Sequence, residues 1–527
     1  MLRAAPRGRT TIMTACRVAL VFAALLLLPA LAAAAPEGKI VIAQGVDPTT
    51  LDPQWHEETP AYNVLLNIYD TLLFRDKDLK IIPWLAESWR LVNPTTWEFK
   101  IRKGVKFHNG EEVDAEAVKF SLDRIRDPEL KARQTVYFRL VTSVDVVDKH
   151  TVRVVTSRPY PTLENHLALR GAIMPPGHFR GKDKVFADRN PVGSGPYKFV
   201  RWVKDEQIEL EANPSWWGGA PKIKTIVFRP IPEHAVRAAA LQAGEIDVAV
   251  NIPPHLVQSI EKHPRLYVSK APSVRTIFIP IYAYQYDTAN KPVGPVEGPT
   301  RDKRVRQALL AAVNVDEIIK TVLEGNAVRT ATPLTPKHFG FDPSFAPVKL
   351  DVDRVRKLLA EAGFPQGLDL TLNSPDGRYQ KDKEVAEAVA GQLTKAGIRT
   401  RVKTHEWTTY LSQYVYPHKA NPMYLIGWGN TTWDADGTLG ALFRSGTPQS
   451  NYYNPDFDGL IDEAQTSIDP RRRLELYARA QRMVVDDGGV LPLYQQVDIY
   501  GVNKRLSFQA LSSEQLVGAW MSLRNGK

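Results

Sequence analysis

Cysteine is almost absent from this chain: one among 527 residues, at Cys16. Cys16 lies before the apolar run Val18 to Leu31. A lipid-anchor cysteine has to follow such a run, so the lipoprotein form is rejected. Beyond that run the chain has no thiol, hence no disulfide and no cysteine metal ligand. A chain of this length buries a core large enough to stand without cross-links. Lys and Arg are interspersed with Asp and Glu, and the formal net charge of +10 falls by four without Arg3, Arg7, Arg9 and Arg17. No basic stripe results, which excludes nucleic acid as a partner. An internal repeat is also missing.

Catalytic and metal motifs are missing in the same way. His56-Glu57-Glu58 has no second histidine at helical spacing, so a zinc-protease reading fails. Gly193-Ser194-Gly195 lacks both the nucleophile elbow and the lysine of a phosphate loop, and reads as a turn. His108, His166 and His405 belong to no ligand-spaced cluster. Asp434-Ala435-Asp436-Gly437 would place Thr432 and Phe443 at the ends of a calcium loop, where neither supplies a carboxylate. Asn454-Pro455-Asp456-Phe457-Asp458-Gly459 has Gln465 at the twelfth position and reads better as a helix opening. No cofactor and no metal are expected.

The sequence does contain a charged start, an apolar run and the small residues Ala33-Ala34-Ala35. Residues 1–35 are expected to be a cleaved secretion signal, without a twin arginine, and Met13 opens a complete signal on its own. The expected location is a periplasm. The remainder mixes strands and helices. Paired strands are expected at Val144–Val147 with Val152–Val155, and at Tyr197–Val203 with Gln207–Leu210. Asp302, Asp316, Asp351 and Asp469 are expected to cap helices, with Gly325 and Gly363 closing two of them. Asn290 to Thr300, with three prolines and two glycines, reads as an exposed insertion.

The densest segment is Phe99 to Ile125. Trp97, Phe99 and Ile101 alternate as a half-buried strand, Gly104 breaks it, and Asn109-Gly110 offers left-handed turn chemistry. Asp114 stands at an N-cap, with Val118, Leu122 and Ile125 at helical spacing behind it. This segment resembles the signature of the family 5 extracellular solute-binding proteins, the dipeptide, oligopeptide and nickel receptors of ATP-binding cassette importers. Similar matches follow in order at residues 51–53, 68–72, 191–197, 213–223, 241–247, 301–309 and 357–364.

The resemblance implies a bilobal α/β protein of the type II periplasmic-binding-protein fold with an extra inserted sub-domain, its lobes joined by two hinge crossings. Lobe 1 would combine residues 36–60, 192–268 and 488–527, with 61–191 inserted into it; lobe 2 would span 269–487. It implies a monomeric receptor, not an enzyme, that takes a small peptide or peptide-like ligand in an interlobe cleft and delivers it to the membrane permease subunits of the transporter. Arg378 matches the position from which peptide-binding members supply an arginine to the ligand carboxylate, which a guanidinium takes bidentately. In those members a tryptophan loop presents an aspartate to the ligand amine, three residues after the tryptophan. Here the tryptophan is Trp428 and that place is Thr431. Either Asp434 or Asp436 supplies the charge, or the ligand lacks a free amine. Trp428 and Trp433 could stack on a ligand or pack in the core, and His405, Trp407 and Tyr410 are expected near the cleft. Two alternatives stand beside the peptide receptor: a receptor for a metal chelate such as nickel with an organic acid, and a secreted hydrolase.

Overall fold

The computed structural model describes Met1 and residues 35–56, 58–287, 290–447 and 449–524. The expected signal, apart from its two end residues, lies outside the described residues. A nine-stranded sheet organises the chain. Its strands run in the order Ile426–Gly429, Leu266–Pro280, Val490–Asn503, Val248–Ala249, Glu37–Gln44, Ile223–Pro230, Gln207–Ala212 and Tyr197–Val203, with Ala327–Arg329 also paired to Val490–Asn503. Glu37–Gln44 runs parallel to both of its neighbours, and buries Ile40 and Ile42 completely. Strands covered on both faces are where parallel pairing occurs.

Leu266–Pro280 and Val490–Asn503 are the longest strands and run antiparallel from Leu266↔Asn503 to Pro280↔Val490. One end of this ribbon, at Ala271, Tyr500 and Val502, packs with Ile40, Ile226 and Leu516. The other end, at Ile277, Ile279, Leu491 and Leu493, packs with Val389, Leu309 and Leu425. The ladder breaks register between Pro272 and Thr276, between the two cores. Such a bulge adds local bend and twist.

Two smaller sheets flank this frame. Ala86–Asn93, Thr96–Ile101, Thr151–Thr156 and Val141–Asp148 form an antiparallel sheet with its own core of Phe99, Val118, Leu122, Val144 and Val154. Helix Ala115–Arg126 covers it, capped where the Asp114 carboxylate accepts the Ala117 N–H at 3.0 Å. Gly104 and Gly110 both take positive φ, as the sequence requires of a strand break and a tight turn. Ile398–His405, Leu368–Pro375 and Met423–Tyr424 form a parallel sheet, against which helix Asp382–Lys395 packs.

Both expected hairpins form, as Val141–Asp148 with Thr151–Thr156 and Tyr197–Val203 with Gln207–Ala212. Asp302, Asp351 and Asp469 cap their helices through backbone N–H groups. Asp316 does not: Asn314 is the cap of Val315–Thr321, and Asp316 lies in the first turn, where a carboxylate still meets the positive helix end. The stretch from Asn290 to Thr300 is less irregular than expected, because Pro292–Pro295 pairs with Tyr284–Tyr286 and Val296 is buried. Gly193 has the tightest requirement of any glycine in the Gly-Ser-Gly turn. A Cβ there would stand 2.0 Å from the Ile68 carbonyl oxygen, while Ser194 donates to Asp70 at 2.9 Å.

Candidate functional site

Arg378 is presented by a loop that the chain fixes from behind. The strand Leu368–Pro375 ends, Gly377 turns at φ 82°, and the Asp382 carboxylate accepts the N–H groups of Gly377, Arg378 and Tyr379 at 2.8–2.9 Å. With its backbone held, the Arg378 guanidinium lies 5.1 Å from the ring centroids of both Tyr379 and Trp407. It is exposed and ion-pairs with no described carboxylate. Solvent reaches it, yet the surrounding protein mass, and after it the like charge of Arg275, pull its pKa below the usual arginine range. An arginine stays charged under such conditions. Trp407 is half-buried, edge-on to Tyr379 at 5.8 Å. His405 lies deeper, bonded to Asn373 and stacked on Tyr410, and serves the interior.

Beside Arg378 the bulge of the long ribbon carries Arg275, which approaches Glu514 at 3.7 Å with both side chains largely buried. Glu514 also accepts from Ser273 at 2.6 Å and from Thr59 at 3.3 Å. Strand Ile426–Gly429 forms the floor. Its Gly427 carbonyl accepts the Tyr379 hydroxyl at 3.1 Å, and a Cβ on Gly429 would press on the Arg275 guanidinium at 3.2 Å. Small residues are needed in this strand because two large polar side chains lie across it.

The loop that follows separates the remaining candidates. Trp428 packs against the core around Phe278 and Leu439 and donates its ring N–H to the Gly437 carbonyl at 2.7 Å. Trp433 is buried at φ 59°, stacked on His338 at 5.2 Å and packed with Leu79 and Val274. Both tryptophans therefore hold the loop in place. Asp434 is 2 % exposed and accepts from Arg473 at 2.8 Å and from the Asp436 N–H at 3.0 Å. Its carboxylate is engaged inside the protein and is not free for a ligand amine. Asp436 is half-buried and accepts from Gln465 at 2.8 Å; burial, then the charge of Asp434, pushes its pKa up to about 6. Thr431 is half-buried and accepts from Arg170 at 3.3 Å.

Sequence reading missed the residues that approach this loop from the opposite side. Arg75 donates to the Thr432 carbonyl at 2.7 Å, to Asn165 and to the Leu79 carbonyl. Arg170 lies over the Tyr137 ring at 3.8 Å. Neither makes an ion pair with a described residue. A line of contacts joins this end to Arg378. Arg170, His56 and Tyr62 line one recess, Tyr62 accepts from Gln515 at 3.0 Å, and the adjoining Glu514 meets Arg275. Arg75, Arg170, Arg275 and Glu514 stand in no motif, and only their convergence in space marks them. The band is rich in guanidinium groups and aromatic rings, which suits non-covalent capture of an anionic organic solute.

Comparison with known proteins gives a consistent result. The sequence pattern of bacterial extracellular solute-binding proteins, family 5 Middle, matches residues 80–450. The chain is 31% identical over 461 residues to the glutathione-binding protein GsiB of Pectobacterium atrosepticum, covering 85% of this chain and 86% of that protein. Its fold is similar to that of DppA from Helicobacter pylori in complex with the peptide STSA, with a TM-score of 0.77, 25% identity and coverage of 93% and 98% of the two chains. It is also similar in fold to the ABC transporter substrate-binding protein CtaP from Listeria monocytogenes, with a TM-score of 0.83, 23% identity and coverage of 93% and 99%.

Proposed function

This chain belongs to the family 5 bacterial extracellular solute-binding proteins, and from that premise we propose that it captures a small peptide-like solute by a carboxylate anchored on Arg378. The family consists of receptors that pass a solute to an ATP-binding cassette permease, not of enzymes. The observation that carries the reading is the Arg378 guanidinium: its backbone held by Asp382, 5.1 Å from the centroids of two aromatic rings, open to solvent and ion-paired with no described acid. Arg473, by contrast, is paired inside the protein with Asp434 at 2.8 Å. Arg378 is charged and pre-positioned, which lowers the ordering cost of binding.

The cargo enters between two lobes, residues 36–60, 192–268 and 488–527 with 61–191 inserted, and residues 269–487. Support comes from the separate cores at the two ends of the long ribbon. The GsiB relatives, named for glutathione, and the STSA complex of the similar DppA both favour a short peptide. The receptor works as a periplasmic monomer after loss of residues 1–35.

Calorimetric titration of Arg378→Ala against glutathione and against short peptides with free or amidated C-termini tests this reading. Loss of one partner from a desolvated charge pair costs roughly 2–5 kcal/mol, or about thirtyfold to several thousandfold in affinity. A variant within a few-fold of the parent, or a parent indifferent to amidation, would remove Arg378 from the site.

A further inference from the structure

Arg378 is not the only guanidinium at its end of the band. The side chain of Arg275, on the bulge of the long ribbon, is 14 % exposed, and it meets Glu514 at 3.7 Å, longer than a hydrogen bond. Its guanidinium makes no hydrogen bond to a described residue. Glu514 is engaged by others: one oxygen accepts from Ser273 at 2.6 Å and the other from Thr59 at 3.3 Å. Five N–H donors, mostly shielded from water and without an acceptor in the protein, leave a demand that a bound anion can meet.

Arg275 and Arg378 share a neighbour. Their guanidinium carbons lie 5.9 Å and 5.1 Å from the centroid of the Tyr379 ring. Strand Ile426–Gly429 accounts for the juxtaposition. A Cβ on Gly427 would stand 2.7 Å from the Tyr379 ring, and one on Gly429 would stand 3.2 Å from the Arg275 guanidinium. Residues two apart point to one face of a strand, so ring and guanidinium lie side by side over that face, and Arg378 reaches the same ring from its own loop. After burial, the like charge of Arg275 is the next influence lowering the Arg378 pKa, as neighbouring cations require. The other acids here are bonded elsewhere, Asp382 to three backbone N–H groups and Asp498 to Gln496. Glu514 alone faces two cations.

We propose that Arg275 is a second anchor of the cargo, so that one carboxylate lies between the guanidinium groups of Arg275 and Arg378. This rests on the assignment of that carboxylate to Arg378. An anion there supplies acceptors to both groups and offsets their mutual repulsion. It also ties the solute to the ribbon bulge, where the ladder breaks register between the two cores, as well as to the loop braced by Asp382. A carboxylate held by two cations is told from an amide or ester more sharply than one arginine could manage, which makes Arg275 a determinant of specificity for free acids.

The test is calorimetric titration of the parent, Arg275→Gln, Arg275→Lys and Arg378→Ala with glutathione, dialanine and trialanine, each as the free acid and as its C-terminal amide. The parent should bind at least one free acid about thirtyfold or more tightly than its amide, the scale set by one desolvated charge pair. Arg275→Gln should cut that preference at least about tenfold, the scale of a charge-assisted hydrogen bond, and leave affinity for the amide within a few-fold. A residue that only held the fold would weaken acid and amide alike. Arg275→Lys keeps the charge without the planar fork and should fall between the parent and Arg275→Gln; it supplies the reading if melting shows Arg275→Gln unfolded. If the folded variant keeps the full preference for the acid, or weakens acid and amide equally, while Arg378→Ala abolishes the preference, the second anchor is refuted and the first stands. If the parent does not prefer a free acid, or Arg378→Ala leaves its preference unchanged, the anchor itself is wrong and the pair falls with it.

Discussion

Two charged residues that look alike in the sequence, Arg378 and Asp434, have opposite fates in the structure. Both lie in polar loops after a strand and near tryptophans. Arg378 is fixed by its backbone and left with a free guanidinium. Asp434 is closed off at 3% side-chain exposure against Arg473, which also donates to the Ala464 carbonyl and to Tyr477 and lies 4.8 Å from the Phe339 ring. Removing one member of a buried pair leaves the other charge uncompensated, which costs about 3–5 kcal/mol. Asp434→Asn should therefore lower unfolding free energy by about that much in urea titration, while Asp436→Asn, on a half-buried group that accepts from Gln465 and has no ion-pair partner among the described residues, should cost far less. Equal and small losses in the two variants would contradict the assignment of Asp434 to the fold.

Among the elements, the two long strands concentrate unusual chemistry where they change register. Asp498 is buried in Val490–Asn503 with one oxygen accepting from Gln496 at 2.8 Å and the other without a partner. Burial, then the charge of Glu514, pushes its pKa up to about 8, while Gln496, Arg275 and Ser273 act against that rise. The sign follows from proton linkage. Between about pH 4, where an unfolded aspartate releases its proton, and pH 8, the folded chain holds a proton that the unfolded chain has lost. Stability from this group falls as pH rises through that window and is level above it. Asp498→Asn cannot ionise, so its melting temperature should decline less than that of the parent between pH 5 and pH 8. Parallel melting curves across that range would show that Asp498 is ionised in the fold. The same bulge seats Arg275 and Ser273 against Glu514, so a proton at Asp498 bears on the geometry beside Arg378.

At the level of the whole molecule, the contacts that close the band come from remote parts of the chain. Arg75 reaches the Thr432 carbonyl and Arg170 reaches Thr431, across separations of 357 and 261 residues. These few polar bonds, with the packing of Trp433 against Leu79, join the segment 61–191 to the segment 269–487. Against the separate cores behind them, such contacts are weak enough to open and re-form. Small-angle scattering should show a smaller radius of gyration when a bound solute adds to them. An unchanged radius at saturation would contradict a closing cleft. Replacing Thr431 with alanine removes its bond from Arg170, so the same measurement on Thr431→Ala shows what that contact contributes to closure.

The local grammar of the chain was legible without coordinates. Asp114, Asp302, Asp351 and Asp469 cap helices, Gly104 and Gly110 turn, and two hairpins close where their alternation demands, because each depends on residues within one turn or one strand. The Asp316 cap failed for the same reason in reverse: Asn314 offers an equally good acceptor two residues earlier, and only the helix start decides between them. The family was legible too, since its motifs run in order along the chain. Arg378 stood out only through that resemblance, by its place between a strand and a helix. Tertiary structure alone decided which charges are free. Whether Asp434 meets a ligand or Arg473, and whether Arg170 has a counter-ion, depends on side chains brought together from distant segments. Pairing and burial, not residue type, determine whether a charge serves the fold or the cargo.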